Sequence, residues 1–141
     1  MSSGRRSGRA PRNVRIALAE ADPQVREWLR RPLSRLTPVL SEAESGPALE
    51  ALLENEGPFD LAIANAQLPG ARSALEVLAR LRARGSAIPF IVVTSVHQSM
   101  LRIFVSSAEG TVLSSRVVDP QNLVALAESL LPRVPPSGAD G

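Results

Sequence analysis

Short apolar runs alternate with longer amphipathic segments through most of the chain. The short runs are rich in Val, Ile, Leu and Ala and are nearly continuous in their apolarity, which is typical of strands buried on both faces. They predict strands at about 14–19, 39–43, 60–64, 88–94 and 111–114. Between them, apolar residues recur every three or four positions, which predicts five helices, the fourth over roughly 98–106.

Polar residues mark where several of these helices begin. Asp22 precedes Pro23, and Asp119 precedes Pro120, so each pair supplies a capping carboxylate and a proline at the first helical position. Ser73 stands in the same capping position before the third helix. These signals fix the beginnings of the first, third and last predicted helices.

Five strands alternating with five helices predict one α/β domain over residues 13–131. The expected architecture is (βα)5, a doubly wound five-stranded parallel sheet with helices on both faces, because each parallel crossover needs a helix. Sheets of this kind bind ligands beyond the carboxyl ends of their strands. The residues that follow each strand are therefore the candidates for a functional site.

Composition limits the classes of function. The chain has no Cys and a single His, His97, so thiolate metal sites, histidine clusters and a hydrolase triad have no support. No glycine-rich phosphate loop follows a predicted strand, which argues against a nucleotide enzyme. We expect a protein that is not an enzyme, has no cofactor, and lies in the cytoplasm, since no apolar run is long enough to span a bilayer.

Charge is concentrated at the amino end. Residues 1–12 carry four arginines and no acid, and since the whole chain carries +2, the remaining residues carry −2. We interpret residues 1–12 and 132–141 as a disordered Arg-rich arm and a disordered tail, because neither can bury apolar area. All 16 basic residues are arginine, so the chain contains no lysine.

Several segments together resemble the receiver domain of bacterial response regulators, from about residue 14 to residue 131. The matching segments are IALAEADPQVREWL (16–29), FDLAIANAQLPG (59–70), IPFIVVTS (88–95), AEGTVL (108–113) and VVDPQNL (117–123). Each is weak alone, but their order and spacing make the match specific. The resemblance implies a flavodoxin-like sheet with strand order 2-1-3-4-5.

The resemblance also implies a phosphorylation pocket, and this chain departs from it. The family transfers a phosphoryl group to an aspartate with the help of Mg²⁺, but Asn65 stands at that position, and an amide cannot act as the carboxylate nucleophile. The acidic metal-binding positions read Glu20, Ala21 and Asp22, and Asp22 is better explained as a helix cap. We therefore expect no metal site.

Other pocket positions are also altered. Thr94 fits the family's hydroxyl position, whereas the family's lysine is matched by either Ser114 or Arg116, depending on how the preceding segment aligns. The aromatic residue expected on the fifth strand is replaced by Thr111 or Leu113. The pocket is thus a degenerate phosphorylation site.

We expect a stand-alone pseudo-receiver that serves two-component or phosphorelay signalling in bacteria through phosphorylation-independent protein contacts. The apolar segment at 98–106 would leave Met100 and Ile103 near the surface, beside Phe104, on a face of the fourth helix, fifth strand and fifth helix that could form a homodimer. Trp28 is interpreted as a core residue in preference to a docking residue. The alternative function is a regulator that contacts nucleic acid through the arm at 1–12.

Overall fold

A computed structural model describes residues 13–97, 100–106, 115–118 and 121–131, and of residues 95–97, 100–101 and 115–118 it describes the backbone alone. The elements in chain order are β1 (Arg15–Ala19), α1 (Pro23–Leu33), a 3₁₀ turn (Ser34–Leu36), β2 (Val39–Ala43), α2 (Gly46–Asn55), β3 (Leu61–Asn65), α3 (Ala74–Ala83), β4 (Phe90–His97), β5 (Met100–Ser106), β6 (Ser115–Val118) and α4 (Gln121–Leu130).

The predicted helix starts are confirmed where the structure describes them. The Asp22 side chain accepts a hydrogen bond from the backbone N–H of Gln24 at 2.8 Å, and so caps α1. Ser73 and Glu76 form a reciprocal capping box at the start of α3, which satisfies two backbone N–H groups of the first turn. The predicted cap at 119–120 lies outside the described residues.

The sheet has the order β2-β1-β3-β4-β5-β6. The first five strands follow the predicted order 2-1-3-4-5, and β1 to β4 pair in parallel. The prediction of a wholly parallel (βα)5 sheet is wrong, because β5 runs antiparallel to β4, and β6 runs antiparallel to β5. Four α-helices are present in the described part of the chain.

The error lies in the segment predicted as the fourth helix, which forms β5. Ile103 and Val105 pack against one face of the sheet, whereas Phe104 packs against the other, so apolar side chains alternate with period two. A short run that is apolar on both faces of a strand cannot be told from a buried helix by periodicity alone. The strand predicted at 111–114 lies outside the described residues, and the next described strand is β6.

Alternation of side chains across the sheet divides the core into two clusters. On the α2/α3 face, β1 and β3 contribute only alanines, namely Ala17, Ala19, Ala62 and Ala64. The opposite α1/α4 face takes Ile16, Leu18, Leu61 and Ile63 from the same strands. The small residues let α2 and α3 lie close to the sheet, while the larger ones fill the space beneath α1 and α4.

A buried carboxylate ties α2 to α3. Glu50 is 5% exposed and contacts three guanidinium groups, those of Arg80 and Arg84 at 2.8 Å and that of Arg72 at 3.5 Å. Burial opposes ionisation of Glu50, but the hydrogen bonds from Arg80 and Arg84 outweigh it and hold the pKa of this carboxyl below its ordinary value. The ion cluster therefore fixes α3 against α2.

Replacing Glu50 with Gln should lower the free energy of unfolding by about 1–3 kcal/mol at neutral pH, because three arginines lose their charged partner. The pKa of Glu50 in the folded protein lies below its ordinary value of 4.5. The stabilisation that Glu50 supplies is therefore complete above pH 4.5, and it is lost as the pH falls through the pKa of the folded state. Urea unfolding at a series of pH values should show the two proteins converging in acid. The exposed Glu128→Gln serves as control, and a Glu50→Gln difference that is constant with pH would contradict this assignment.

Ile103→Ala should destabilise the protein by about 2–4 kcal/mol, because Ile103 is fully buried between β5 and the helices of the α1/α4 face. The neighbouring Arg102→Ala, at an exposed position, should change stability by no more than about 0.5 kcal/mol. Chemical denaturation measures both. Equal small effects would indicate that Ile103 lies at a helix surface instead.

Candidate functional site

Two polar residues meet where adjacent parallel strands end. Ala19 of β1 pairs with Ala64 of β3, so Glu20, directly after β1, and Asn65, the last residue of β3, lie side by side at the carboxyl edge of the sheet. This edge is where doubly wound sheets place their ligands. Glu20 is only 4% exposed, whereas Asn65 is half-buried.

The two side chains are joined by a short hydrogen bond. Asn65 Nδ2 donates to Glu20 Oε1 at 2.6 Å, and the backbone N–H of Asp22 donates to Glu20 Oε2 at 2.9 Å. The other end of the amide, Asn65 Oδ1, accepts from the backbone N–H of Gln67 at 2.8 Å. Both oxygens of the buried carboxylate are thus satisfied without a second charge.

The orientation of the amide follows from its neighbours. A reversed Asn65 would place its oxygen against a carboxylate oxygen of Glu20 and its NH₂ group against the N–H of Gln67, and both contacts would be repulsive. The orientation with Nδ2 towards Glu20 makes two hydrogen bonds in place of two repulsions. Asn65 therefore acts as a hydrogen-bond donor to the pocket.

The loop after Asn65 is held by a close approach to α2. The backbone N–H of Gly46 donates to Pro69 O at 3.1 Å, and a Cβ at Gly46 would lie 1.9 Å from Arg72 O. Only glycine leaves room for this contact. Backbone packing against α2 therefore positions the loop that begins at Asn65.

The residues at this edge do not fit a magnesium site. Mg²⁺ requires near-octahedral oxygen ligands and takes one or two carboxylates with a phosphate. Here the two oxygens of Glu20 already accept hydrogen bonds from Asn65 Nδ2 and from the backbone N–H of Asp22. The side chain of Asp22 caps α1. No group of three or more acidic, His or Cys side chains suited to a metal comes together in the described part of the chain.

The other pocket residues lie at different distances from this pair. Ala21 is exposed in the turn between Glu20 and Asp22, and Thr94 is half-buried in β4, one residue beyond the pair Asn65–Val93. The backbone of Arg116 lies in β6, opposite Ile103. Two strands, β4 and β5, lie between β3 and β6. The backbone of Arg116 is therefore three strand spacings of roughly 4.8 Å, or about 14 Å, from β3. Ser114, Thr111 and Leu113 lie outside the described residues.

The structure corrects the predicted partner-binding residues. Ile103 is fully buried, so its prediction as a surface residue is wrong; β5 takes it into the α1/α4 face. Phe104 is half-buried against the α2/α3 face, and Trp28 packs against the α1/α4 face, as its core interpretation requires. The side chain of Met100 is outside the described residues.

The predicted dimer face is also changed. The segment predicted as its fourth helix forms β5, and the predicted homodimer itself stays a prediction. The arm at 1–12 and the tail at 132–141 lie outside the described residues, and nucleic-acid contact through the arm stays a prediction. No helix among the described residues is long and apolar enough to cross a membrane.

Sequence reasoning missed two features of the molecule. The hydrogen bond between Asn65 and Glu20 could have been expected, because the strand order 2-1-3 makes their strands neighbours. The contact of Arg82 with Ser106, at 2.6 Å from Nη2 to Oγ, could not have been expected, since it depends on β5 being a strand.

Comparison with known proteins places this arrangement in a family. The family model of the response regulator receiver domain matches residues 16–128. The N-terminal domain of an uncharacterised protein from Wolinella succinogenes is 30% identical with a TM-score of 0.52, and the alignment covers 60% of this chain and 66% of that one. The signal receiver domain of an HD domain-containing protein from Pseudomonas fluorescens is 26% identical with a TM-score of 0.52, with 59% and 65% covered.

A third structure matches more of the fold at lower identity. A response regulator receiver domain from Francisella has a TM-score of 0.62 over 84% of this chain and 96% of its own, at 14% identity, which supports the fold alone. The chain spans slightly less than two thirds of the first two structures. No significant match is found among curated proteins.

Asn65→Asp should destabilise the domain by about 2 kcal/mol at neutral pH, because a charge-assisted hydrogen bond becomes a contact between two carboxylates. Added Mg²⁺ should recover part of this loss in the variant and leave the natural protein unchanged. Thermal unfolding with and without Mg²⁺ measures both effects. Asn13→Asp, at an exposed position before β1, is the matched control, and equal responses of all three proteins to Mg²⁺ would contradict the assigned role of Asn65.

Proposed function

Because the chain belongs to the response regulator receiver domain family, we propose that it is a pseudo-receiver, which acts in bacterial signal transduction through protein contacts and without being phosphorylated. The observation that carries this proposal is the hydrogen bond from Asn65 to Glu20 at the position where the family resemblance puts the phosphorylated aspartate. The side chain at this position is thus an amide that donates to a buried carboxylate, and an amide cannot accept a phosphoryl group.

The chemistry of Asn65 supports the first half of the proposal. Phosphoryl transfer needs a nucleophilic oxygen with an available lone pair and negative charge. The amide nitrogen of Asn65 has a delocalised lone pair, and its oxygen is neutral and already accepts the N–H of Gln67. Neither atom is suited to form a stable acyl phosphate.

The electrostatics at the carboxyl edge of the sheet also support a domain that is not phosphorylated. Binding of a phosphoryl group requires cations to neutralise its oxygens, and in this family a metal ion and a lysine supply them. Here uncharged hydrogen-bond donors satisfy both oxygens of Glu20, and the chain contains no lysine. An incoming phosphate would meet the buried Glu20 carboxylate, which forms no ion pair with any basic side chain that the structure describes.

Protein contact is the function left to such a domain. A receiver communicates by presenting a surface to a partner, and this requires a stable fold but no chemistry at the pocket. The clusters on the two faces of the sheet and the Glu50 ion cluster supply that stability. We accordingly propose that the protein is a non-enzymatic signalling module. A protein partner binds it, and the module keeps one conformation.

Incubation with acetyl phosphate and Mg²⁺ tests the proposal directly. Intact-mass spectrometry should show no added phosphoryl group on the natural protein, because position 65 has no carboxylate. An active receiver domain treated in parallel verifies the donor. A phosphoryl adduct that is labile to hydroxylamine, and therefore carried on a carboxylate, would refute the proposal.

A further inference from the structure

One flank of α3 faces α2 and the other faces β5. Arg80 and Arg84 reach Glu50 of α2, so their flank of the helix is covered. Arg82 instead reaches Ser106 of β5, and Leu75 lies seven residues before Arg82, on the same side of the helix. The space between this second flank and β5 is named the α3/β5 groove.

The floor of the α3/β5 groove is formed by β4 and β5. Phe104 packs half-buried against the α2/α3 face, and Arg102, two residues away, lies on the same face and is exposed. Thr94 of β4 is opposite Arg102 and therefore shares that face. The next described helix in the chain, α4, packs on the other face through Leu123 and Ala127. Within the described ranges, no helix covers this groove.

An apolar side chain stands at the wall of the groove. Leu75 is 45% exposed, and it is one of two large apolar side chains exposed in the described part of the chain, with Val39 at 43%. Val39 lies at the far edge of the sheet, in β2. Leu75 and Phe104 thus give the groove an apolar wall and an apolar floor.

Unbalanced positive charge lies beside these apolar residues. Arg82 donates to two neutral acceptors, Ser86 O at 3.0 Å and Ser106 Oγ at 2.6 Å, while its Nε is buried with no acceptor. Burial lowers the pKa of Arg82, as expected for a cation without a carboxylate beside it. No described acidic residue forms an ion pair with Arg82 or Arg102, in contrast to Arg80 and Arg84.

We propose that the α3/β5 groove binds an acidic amphipathic helix of a partner protein, with apolar side chains on Leu75 and Phe104 and carboxylates towards Arg82 and Arg102. This inference rests on the proposed function and assigns its contact surface. Charge complementarity selects an acidic partner, because two arginines of the groove have no counter-charge among the described residues. The groove differs from the predicted dimer face in that α3 forms its wall.

The partner segment is a helix because β5 leaves no free strand edge at this place. Residues 101–104 of β5 are hydrogen-bonded on both sides, to β4 and to β6, so a peptide cannot extend the sheet beside Arg102 and Phe104. Contact must therefore come from side chains. The distance from Leu75 to Arg82 along α3 is about 10 Å at 1.5 Å per residue, which corresponds to two turns of an opposing helix.

A displayed library of helical peptides tests this proposal with the full-length chain. Leucines are fixed on one face of each peptide at helical spacing, and the other positions vary among Glu, Lys and Ala. Selection on the natural protein should enrich peptides with Glu on both sides of the leucine stripe. Enrichment of Lys-rich peptides, or of no charge pattern, would overturn the proposal.

Matched variants locate the binding of a selected acidic peptide, measured by fluorescence anisotropy. Leu75→Ser and Arg102→Glu should each weaken it about tenfold, equivalent to about 1.4 kcal/mol, and added salt should weaken it further. Val39→Ser and Arg35→Glu, at exposed positions elsewhere, should bind as the natural protein does. These four substitutions avoid the structural contacts of Arg82, and circular dichroism checks that each variant folds. Equal binding by all variants would overturn the proposal.

Nuclear magnetic resonance of the isolated chain excludes other occupants. Contacts of residues 107–114 with Leu75 and Phe104, or contacts from a second copy, would show that the groove is already filled and would overturn the proposal. A failed selection leaves the pseudo-receiver proposal intact, since that proposal is refuted by a phosphoryl adduct and not by peptide binding. The two proposals therefore fail in separate experiments.

Discussion

The buried carboxylate of Glu20 must be hydrogen-bonded at the carboxyl edge of the sheet, and this requirement shapes the whole site. A buried carboxylate without partners is costly, and hydrogen bonds to charged groups are worth roughly 1.5–3 kcal/mol each. In this chain Asn65 Nδ2 and the N–H of Asp22 supply those partners. An aspartate at position 65 would instead need a cation between the two carboxylates. On the proposed pseudo-receiver function, this one amide stands where the nucleophile would be and supplies a hydrogen bond to Glu20.

The second constraint is the mixed sheet. Parallel pairing from β1 to β4 keeps Glu20 and Asn65 side by side at the carboxyl edge of the sheet. The antiparallel β5 then separates Arg116 from that pocket by two strands and leaves one flank of α3 without a described helix beside it. The same change of topology therefore places the backbone of Arg116 away from Asn65 and underlies the proposed α3/β5 groove.

The sequence predicted the parts of the fold that depend on local signals. Asp22 and Ser73 predict the beginnings of two helices, because their side chains can cap a first turn. The runs rich in alanine and isoleucine predict β1 and β3. The prediction failed at residues 100–106, where Ile103 and Phe104 suit a helix and a doubly buried strand equally, and long-range pairing with β4 decides. Position 65 was identified from its segment, and the predicted strand order places it beside Glu20, but the direction of the hydrogen bond depends on the backbone N–H of Gln67, which only the assembled loop positions.

The side-chain amide signal of Asn65 provides the most direct test of the central claim. Because Glu20 holds the NH₂ group, its ¹⁵N–¹H resonances should shift in Glu20→Gln and stay unchanged when Mg²⁺ and beryllofluoride, a phosphoryl mimic, are added. A saturable shift of the Asn65 signal on adding Mg²⁺ with beryllofluoride would show that the pocket still binds its ligands. That result would contradict the proposed pseudo-receiver function.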